Sequence, residues 1–225
     1  MRCDLTSIEN NGLSQAKRFG LAVGGVLAKQ NRLRLDMLHT EKVDSETKTD
    51  IAHLLARDWS IQTTEDLKEQ LASLLTGSGF INDFNGMIRV LTPMDEISRK
   101  RFVASHRQDA ERYAQWVIVE RSLFRLNKAG ITAWDHGRLV MLSRWGATID
   151  LISDQYAWDM ILQSARTVQS TFSDWYEYGI SYVTGRCFWM GTLAADQSEY
   201  LMQLVKELLY GENAPWALNW QTDLS

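Results

Sequence analysis

Proline is almost absent from this chain, and its scarcity constrains the fold more than any other feature. Only Pro93 and Pro215 interrupt 225 residues, so helices can run without the lost hydrogen bond and the steric clash that proline imposes. Apolar residues recur three and four positions apart, whereas strict alternation is scarce. We therefore predict an all-α, compact, multi-helix single domain of about eight or nine helices. The predicted helices span roughly 13–30, 47–58, 64–76, 80–91, 95–127, 133–147, 154–172, 174–190 and 196–210.

Capping residues mark where several of these helices begin. Thr63 and Asp66 have the spacing of a capping box, in which two side chains satisfy each other's free backbone amides. Thr132, Ser153 and Ser173 also stand where N-caps belong. These signals support the helical assignment independently of the apolar pattern.

The chain is predicted to form one domain over residues 1–225. Its length suits a single large domain or two small ones. Pro93 separates a less aromatic part from one that holds every tryptophan except Trp59. A subdivision into N-terminal helices 1–92 and an aromatic-rich C-terminal core 93–225 is therefore the alternative.

Composition excludes several classes of protein. A net charge of −4 and a pI near 5.6 argue against nucleic acid as a partner, because phosphate binding needs a basic surface. The two cysteines, Cys3 and Cys187, form no disulfide framework, which favours a reducing compartment. We therefore predict no nucleic-acid partner and a cytoplasmic location.

The run 17–28, "KRFGLAVGGVLA", imitates a targeting signal because two bases precede an apolar stretch. Asp4 and Glu9 are atypical of the charged region of a signal peptide, and the sequence after Leu27 is a poor cleavage site. The run is too short to span a bilayer. We predict a buried first helix and no membrane association.

No familiar cofactor or metal motif is present. The chain lacks a GxGxxG or P-loop pattern, an HExxH pair and a Cys/His cluster. Asp135 and His136 are adjacent, so on a helix they point about 100° apart and cannot form a local dyad. We interpret His136 as a half-buried packing residue, and we predict no metal, no cofactor and no catalytic residue.

Three charged residues stand where a helix should bury apolar side chains. Arg138, Arg186 and Glu120 each have mainly aromatic and aliphatic neighbours three, four and seven positions away. An unpaired buried charge is very costly, so such groups must pair, reach water or bind a ligand. Arginine suits this role because its planar fork binds carboxylates and stacks on aromatic rings.

We therefore predict that Glu120 lies near Arg138 or Arg186, between helices 95–127, 133–147 and 174–190. A structural ion pair, an aromatic pocket that binds an anion or a partner's carboxylate, and a catalytic acid–base pair are the three interpretations. The predicted cluster or pocket contains Glu120, Asp135, Arg138 and Arg186, with aromatic walls from Trp116, Trp134, Trp145, Trp175, Tyr182 and Trp189.

Glycines and the C-terminus add two packing predictions. Gly179 shares a helix face with Arg186 and Trp175, so a large group or a partner helix should pack there. The ending "APWALNW", 214–220, carries Trp216 and Trp220 and should dock back on the domain.

The segments "GITAWDHGRLVMLSRWG" and "AWDMILQSARTVQSTFSDWYEYGISYVTGRCFW" resemble the YbeU/YbeR-like family of uncharacterised bacterial proteins. The resemblance is strongest over 130–189, and "LSQAKRFGLAVGGVLAKQN" is similar to the opening helix of that family. It implies a fold and no activity, cofactor or catalytic residue. Some related domains resemble immunity proteins of bacterial toxin systems. The matching residues are Ala133, Trp134, Asp135, Arg138, Ala157, Trp158, Ser173, Trp175, Gly185, Arg186 and Trp189.

Our leading hypothesis is a non-enzymatic protein-binding domain, an immunity or antitoxin-type partner of a bacterial effector. An acidic, aromatic-rich chain without a catalytic signature motivates it. The alternative is an enzyme or small-anion binder that uses Arg138, Arg186 and Glu120. A structural role in a homo-oligomer is the third hypothesis, and the sequence does not decide the oligomeric state.

Overall fold

The computed structural model describes residues 12–77 and 79–225, and the predicted all-α class is confirmed because no strand occurs in those ranges. Eleven α-helices and one short 3₁₀-helix, Pro215–Ala217, lie within this part of the chain. The α-helices are α1 Gln15–Val23, α2 Gly25–Gln30, α3 Ser45–Trp59, α4 Thr64–Thr76, α5 Gly79–Leu91, α6 Glu96–Ala104, α7 Ala110–Ser122, α8 Thr132–Thr148, α9 Asp154–Thr171, α10 Trp175–Met190 and α11 Ala195–Tyr210.

The first predicted helix, 13–30, is divided into α1 and α2 at Gly24. A Cβ atom on Gly24 would lie 2.7 Å from Cγ1 of Val140, so α8 approaches the backbone too closely there for any other residue. Both short helices contribute fully buried apolar side chains, as expected for this run. No helix in the described ranges is long and apolar enough to cross a membrane.

The long helix predicted over 95–127 is also divided. Asp109 accepts a hydrogen bond from the amide of Arg112 and begins α7 as a new helix. α7 then ends at Ser122, and Phe124 has a left-handed backbone with φ 65°. The division of helix 13–30 and the division of helix 95–127 together give eleven α-helices in the described ranges where nine were expected.

Two of the predicted helix starts are displaced by one residue. The capping box of Thr63 and Asp66 is confirmed, and so is Ser153 as the N-cap of α9. In contrast, Thr132 is the first residue of α8 and not its cap, and Asp174 caps α10 in place of the serine before it. The position of each cap depends on backbone geometry that several neighbouring polar residues could satisfy.

Helix α8 lies at the centre of the molecule. All its residues from Ala133 to Thr148 are buried, and it packs against α1, α2, α4, α9 and α10. Most helices of a globular domain bury only one stripe. Because α8 is covered on every side, its polar side chains must find partners inside the protein.

A smaller apolar cluster lies between α5, α6 and α7, apart from the main core. Phe84 of α5 and Trp116 of α7 belong to it, and Phe188 of α10 joins them. Pro93 lies between α5 and α6, so both sides of the alternative boundary contribute to this cluster. The division into 1–92 and 93–225 stays a proposal.

The C-terminal segment docks on the main core, as predicted. Trp216 and Trp220 are both buried. The indole of Trp216 donates to the carbonyl of Ala22 at 2.8 Å and stacks on Trp175, with ring centroids 5.4 Å apart. The prediction for Gly179 is also confirmed, because a Cβ there would lie 3.0 Å from the Trp216 ring.

Candidate functional site

Arg138 lies on α8 and is only 7% exposed. Its Nη2 donates to Oδ1 of Asp135, one helical turn earlier and also buried. The guanidinium carbon lies 4.8 Å from the ring centroid of Trp134 and 5.6 Å from that of Trp59. The charge of Arg138 is therefore balanced by a carboxylate and by the electron-rich faces of two indoles.

Arg186 of α10 faces the same tryptophan from the neighbouring helix. Its guanidinium carbon lies 5.2 Å from the ring centroid of Trp134 and 4.5 Å from that of Trp189. In contrast to Arg138, it forms no ion pair and no hydrogen bond with any residue in the described ranges. Burial lowers the pKa of Arg186, and the nearby charge of Arg138 lowers it further.

Two buried hydrogen-bond donors lie beside these arginines. Tyr182 packs edge-on against Trp134, with ring centroids 5.2 Å apart. The hydroxyl of Tyr182 and Nε1 of Trp134 have no hydrogen-bond partner within the part of the chain that the structure describes. Burial raises the pKa of Tyr182, against the opposing effect of Arg186 and Arg138, so the hydroxyl keeps its proton.

Two glycines allow α8 and α10 to approach closely enough to build this arrangement. A Cβ on Gly137 would lie 2.6 Å from Cε2 of Tyr182, and a Cβ on Gly185 would lie 2.6 Å from Cβ of Trp134. Neither position has room for a side chain. Their cost to helix stability, roughly 1 kcal/mol each relative to alanine, is offset by the close packing of the two aromatic rings.

The structure brings six of the predicted residues together, and we call them the arginine–tryptophan cluster. Its polar members come from α8 and α10, and Trp189 is its outermost ring, 42% exposed. The cluster consists of Trp134, Asp135, Arg138, Tyr182, Arg186 and Trp189.

Glu120 does not pair with Arg138 or Arg186, and that prediction was wrong. It forms no ion pair with either arginine in the described ranges. The pKa of Lys100 on α6 is raised mainly by its hydrogen bond with Glu96 and also by the charge of Glu120. The expected stripe around Glu120 assumed a helix that continues to 127, and α7 ends at Ser122.

Three predicted aromatic walls lie elsewhere in the fold. Trp116 packs against Phe102 in the smaller cluster, with ring centroids 4.8 Å apart. Trp145 lines a groove of about 370 Å³ beside the loop that precedes α3. Trp175 belongs to the main core, where it contacts Trp216. Helical periodicity identified these side chains as buried but could not assign them to one place.

Another buried charge, Arg144, was missed by the sequence reasoning. It is 1% exposed, and its guanidinium donates to the carbonyls of Leu38 at 3.0 Å, Arg34 at 2.7 Å and Met37 at 3.1 Å. Burial lowers its pKa to about 10, partly offset by the charge of Asp36. The helix-face test would have flagged it, because its neighbours on α8 are apolar. Arg144 holds the loop between α2 and α3 onto the core and is structural.

His136 is more deeply buried than the half-buried position that we predicted. It is fully enclosed, and its Nδ1 lies 2.9 Å from Oγ of Ser164 on α9. Burial lowers its pKa to about 4, despite the nearby charge of Asp135. Ser164 is itself buried, so a substrate could not reach it, and the pair serves to satisfy two polar groups in the core.

The chemistry that the arginine–tryptophan cluster offers is recognition of an anion. No group of three or more His, Cys, Asp or Glu side chains is placed to hold a metal ion within the described ranges. Arg186 combines a planar, five-donor cation with two aromatic faces that fix its orientation. Carboxylates and phosphates are the groups that such a fork binds with two parallel hydrogen bonds.

Comparison with known protein families gives one match. The model of a family described as "Protein of unknown function (DUF1266)" matches residues 54–220. The match includes α8 and α10, and it excludes the opening helix of the chain. Searches of curated proteins and of solved structures give no significant match.

Proposed function

The chain belongs to the DUF1266 family of proteins of unknown function, and on that premise we propose that it is a non-enzymatic protein-binding domain. Its recognition site is the exposed side of the arginine–tryptophan cluster. Arg186 receives a carboxylate of the partner there, and Trp189 provides the apolar contact beside it.

The observation that carries this proposal is the unbalanced charge of Arg186. Arg138 has a carboxylate partner in Asp135, whereas Arg186 forms no ion pair with any residue in the described ranges. Both guanidinium groups lie about 5 Å from the ring of Trp134, so their positive potentials add. A half-buried cation whose partner is supplied by another molecule forms a strong, charge-assisted hydrogen bond on binding.

Trp189 favours a protein as the source of that carboxylate. Its exposed ring adjoins Arg186 and offers a flat apolar surface. Tryptophan and arginine are the residues that most often dominate the energy of protein interfaces. The ring packs against Trp134, with centroids 6.2 Å apart, so the surface is held in place before binding.

The narrower assignments belong to this proposal as well. We propose that the partner is a bacterial toxin or effector, that the domain acts as its immunity or antitoxin protein, and that it does so in the cytoplasm. Membership in the YbeU/YbeR-like group is proposed on the motifs around Trp134, Arg138 and Arg186. These assignments rest on the family resemblance, whereas the role of Arg186 rests on geometry.

The test begins with proteins that the tagged domain recovers from its host cells. The affinity of a recovered partner is then measured by titration calorimetry for wild type, Arg186→Met and Trp189→Ala. We expect each variant to weaken binding tenfold or more, because truncation of central interface residues typically has effects of about 2 kcal/mol. Acidic residues of the partner that couple to Arg186 are identified by double-mutant cycles.

The matched control is Arg57→Met. Arg57 is an exposed arginine on α3 that pairs with its own neighbour, Asp58, and its loss should leave the affinity unchanged. A partner that binds Arg186→Met as tightly as wild type, with both proteins folded by circular dichroism, would refute the proposed site.

A small-anion site is the second candidate function, supported by the two buried donors beside the arginines. The Tyr182 hydroxyl and Trp134 Nε1 lack acceptors in the described ranges, and an anion that entered the cluster could accept from them. If this function is correct, acetate or phosphate should raise the melting temperature of wild type and not of Arg186→Met. Glu120 has no part in this site.

A further inference from the structure

The turn after α7 contains a phenylalanine whose side chain is exposed to solvent. Phe124 is 78% exposed, while Leu123 beside it is buried. Its φ of 65° lies in the left-handed region, which bulky side chains rarely adopt. The backbone therefore fixes the ring on the outside of the molecule, where a single loop residue would otherwise be expected to be polar.

A second exposed apolar side chain lies at the same end of the α6–α7 hairpin. Phe102 of α6 contacts Trp116 of α7, and Lys100 of α6 lies close enough to Glu120 for its charge to act on it, so earlier positions in α6 lie beside later positions in α7. This antiparallel arrangement brings the start of α6 to the end of α7. Ile97, 65% exposed, is in the first turn of α6.

Basic side chains surround this end of the hairpin. Arg121, Arg125 and Lys128 are exposed, and none of them takes part in an ion pair within residues 12–77 and 79–225. Residues 95–128 contain eight lysines and arginines against five aspartates and glutamates, although the whole chain has a net charge of −4. Of the carboxylates at this end, Glu96 already pairs with Lys100. We call Ile97, Arg121, Phe124, Arg125 and Lys128 the basic tip.

Helix α11 presents a surface of the opposite character. Its inner stripe includes the buried Leu201 and Leu208. The residues of the opposite stripe, spaced three and four apart, carry carboxylates together with two tyrosines that are 48% and 78% exposed. We call this stripe the acidic face. It carries three carboxylates and one exposed cation, and it consists of Asp196, Glu199, Tyr200, Gln203, Lys206, Glu207 and Tyr210.

We propose that the basic tip of one molecule docks on the acidic face of a second copy of the same chain. Three exposed cations meet three carboxylates, of which Glu207 also contacts Lys29, and Ile97 and Phe124 pack against the two tyrosines. Opposite charge across an interface and aromatic residues near its centre are both favourable. The two surfaces differ, so the contact is head-to-tail and each molecule keeps one free surface of each kind.

Sedimentation velocity of the full chain tests this proposal. Wild type should show concentration-dependent association at about 20 mM salt, and the association should weaken tenfold or more at about 500 mM salt because exposed charges are screened. Arg125→Glu and Glu199→Lys should each be monomeric under the same conditions. An equimolar mixture of the two variants should associate again, because each supplies the surface that the other has lost and the two reversed charges are themselves opposite.

Two further variants separate the docking from folding. Phe124→Gly removes the ring and suits a left-handed backbone, so it should be at least as stable as wild type and still fail to associate. Arg57→Glu, a reversal on α3 outside both surfaces, should associate as wild type does. A monomeric wild type at low salt, or a mixture of Arg125→Glu and Glu199→Lys that stays monomeric, would overturn the proposal. Association that survives Phe124→Gly would do so as well.

Discussion

Arg138 and Arg144 are buried on the same helix, and their charges are balanced in different ways. Arg138 pairs with a carboxylate and two indole rings, whereas Arg144 donates to three backbone carbonyls of one loop. A buried charge with partners is tolerated, and removal of those partners costs several kcal/mol. Of the arginines in the arginine–tryptophan cluster, Arg186 is the one without an ion pair in the described ranges, and the functional proposal rests on it.

His136 makes the stability of the protein depend on pH. Its pKa in the folded protein is about 4, below the usual value of about 6.5 in an unfolded chain, so the unfolded state binds more protons between these values. Stability should therefore fall as the pH is lowered from about 6.5 to 4, by up to about 3 kcal/mol. The free energy of unfolding from urea titrations across this range measures the effect.

His136→Gln is the comparison that isolates this contribution, because acidic residues also respond in the same range. The difference in unfolding free energy between wild type and His136→Gln should shrink as the pH falls. His53→Gln, at an exposed position of α3, should follow wild type at every pH. A constant difference for His136→Gln would show that the buried imidazole is not what couples folding to protons.

At the scale of elements, the helices and their burial could be predicted from the sequence, but the residues at which long helices are divided or end were not predicted. Apolar spacing located every helical segment, because each buries an apolar stripe against its neighbours. The break between α1 and α2 falls at the adjacent glycines Gly24 and Gly25, a local signal that the prediction passed over, whereas the packing of Val140 against Gly24 could not be read from nearby residues. The neighbours of Glu120 were predicted wrongly because the predicted helix ended at 127, five residues after the end of α7 at Ser122.

The same limit applies to the candidate site. Arg138 and Arg186 could each be recognised from apolar neighbours on one helix, and Asp135 was the only polar neighbour of Arg138. Whether Trp116 and Trp175 lie near these arginines depends on how the helices pack against one another. The apolar pattern of a single helix carries no information about that packing. Reasoning between helices therefore succeeded for the arginines of α8 and α10, which face the same indole, and failed for Trp116 and Trp175.

The close contact between α8 and α10 predicts that a glycine-to-alanine substitution destabilises the protein at Gly185, which lies in that contact, and stabilises it at Gly86, which does not. In Gly185→Ala the new methyl would lie 2.6 Å from Cβ of Trp134, an atom that can move only with the backbone of α8. We expect a loss of about 1–3 kcal/mol in unfolding free energy. Gly86→Ala, inside α5 with no atom within 4 Å of the new methyl, should gain about 0.5–1 kcal/mol.

Chemical denaturation of the two variants and of wild type provides the comparison. Opposite signs are expected from one and the same substitution, since only the surroundings of the glycine differ. Equal effects at the two positions would mean that helix propensity alone governs both and that α8 and α10 are not as close as described.

At the scale of the whole molecule, the C-terminal segment connects α1 with the end of α9. The indole of Trp216 donates to Ala22 in α1, and that of Trp220 donates to Phe172 after α9, at 3.1 Å. Gln169 and Arg166 of α9 also donate to carbonyls of this C-terminal segment. The main core is thus completed only when the C-terminal segment has docked.

Trp216→Ala should therefore affect regions far from position 216. Loss of a buried tryptophan costs about 3–5 kcal/mol, whereas Tyr210→Ala, at a position mostly exposed, should stay within about 0.5 kcal/mol. Hydrogen exchange then distinguishes local from global effects. If the segment closes the core, amides of α1 around Ala22 should exchange faster in Trp216→Ala, by a factor that matches the loss of unfolding free energy. Faster exchange confined to the C-terminal segment would instead mean that it covers a core already complete without it.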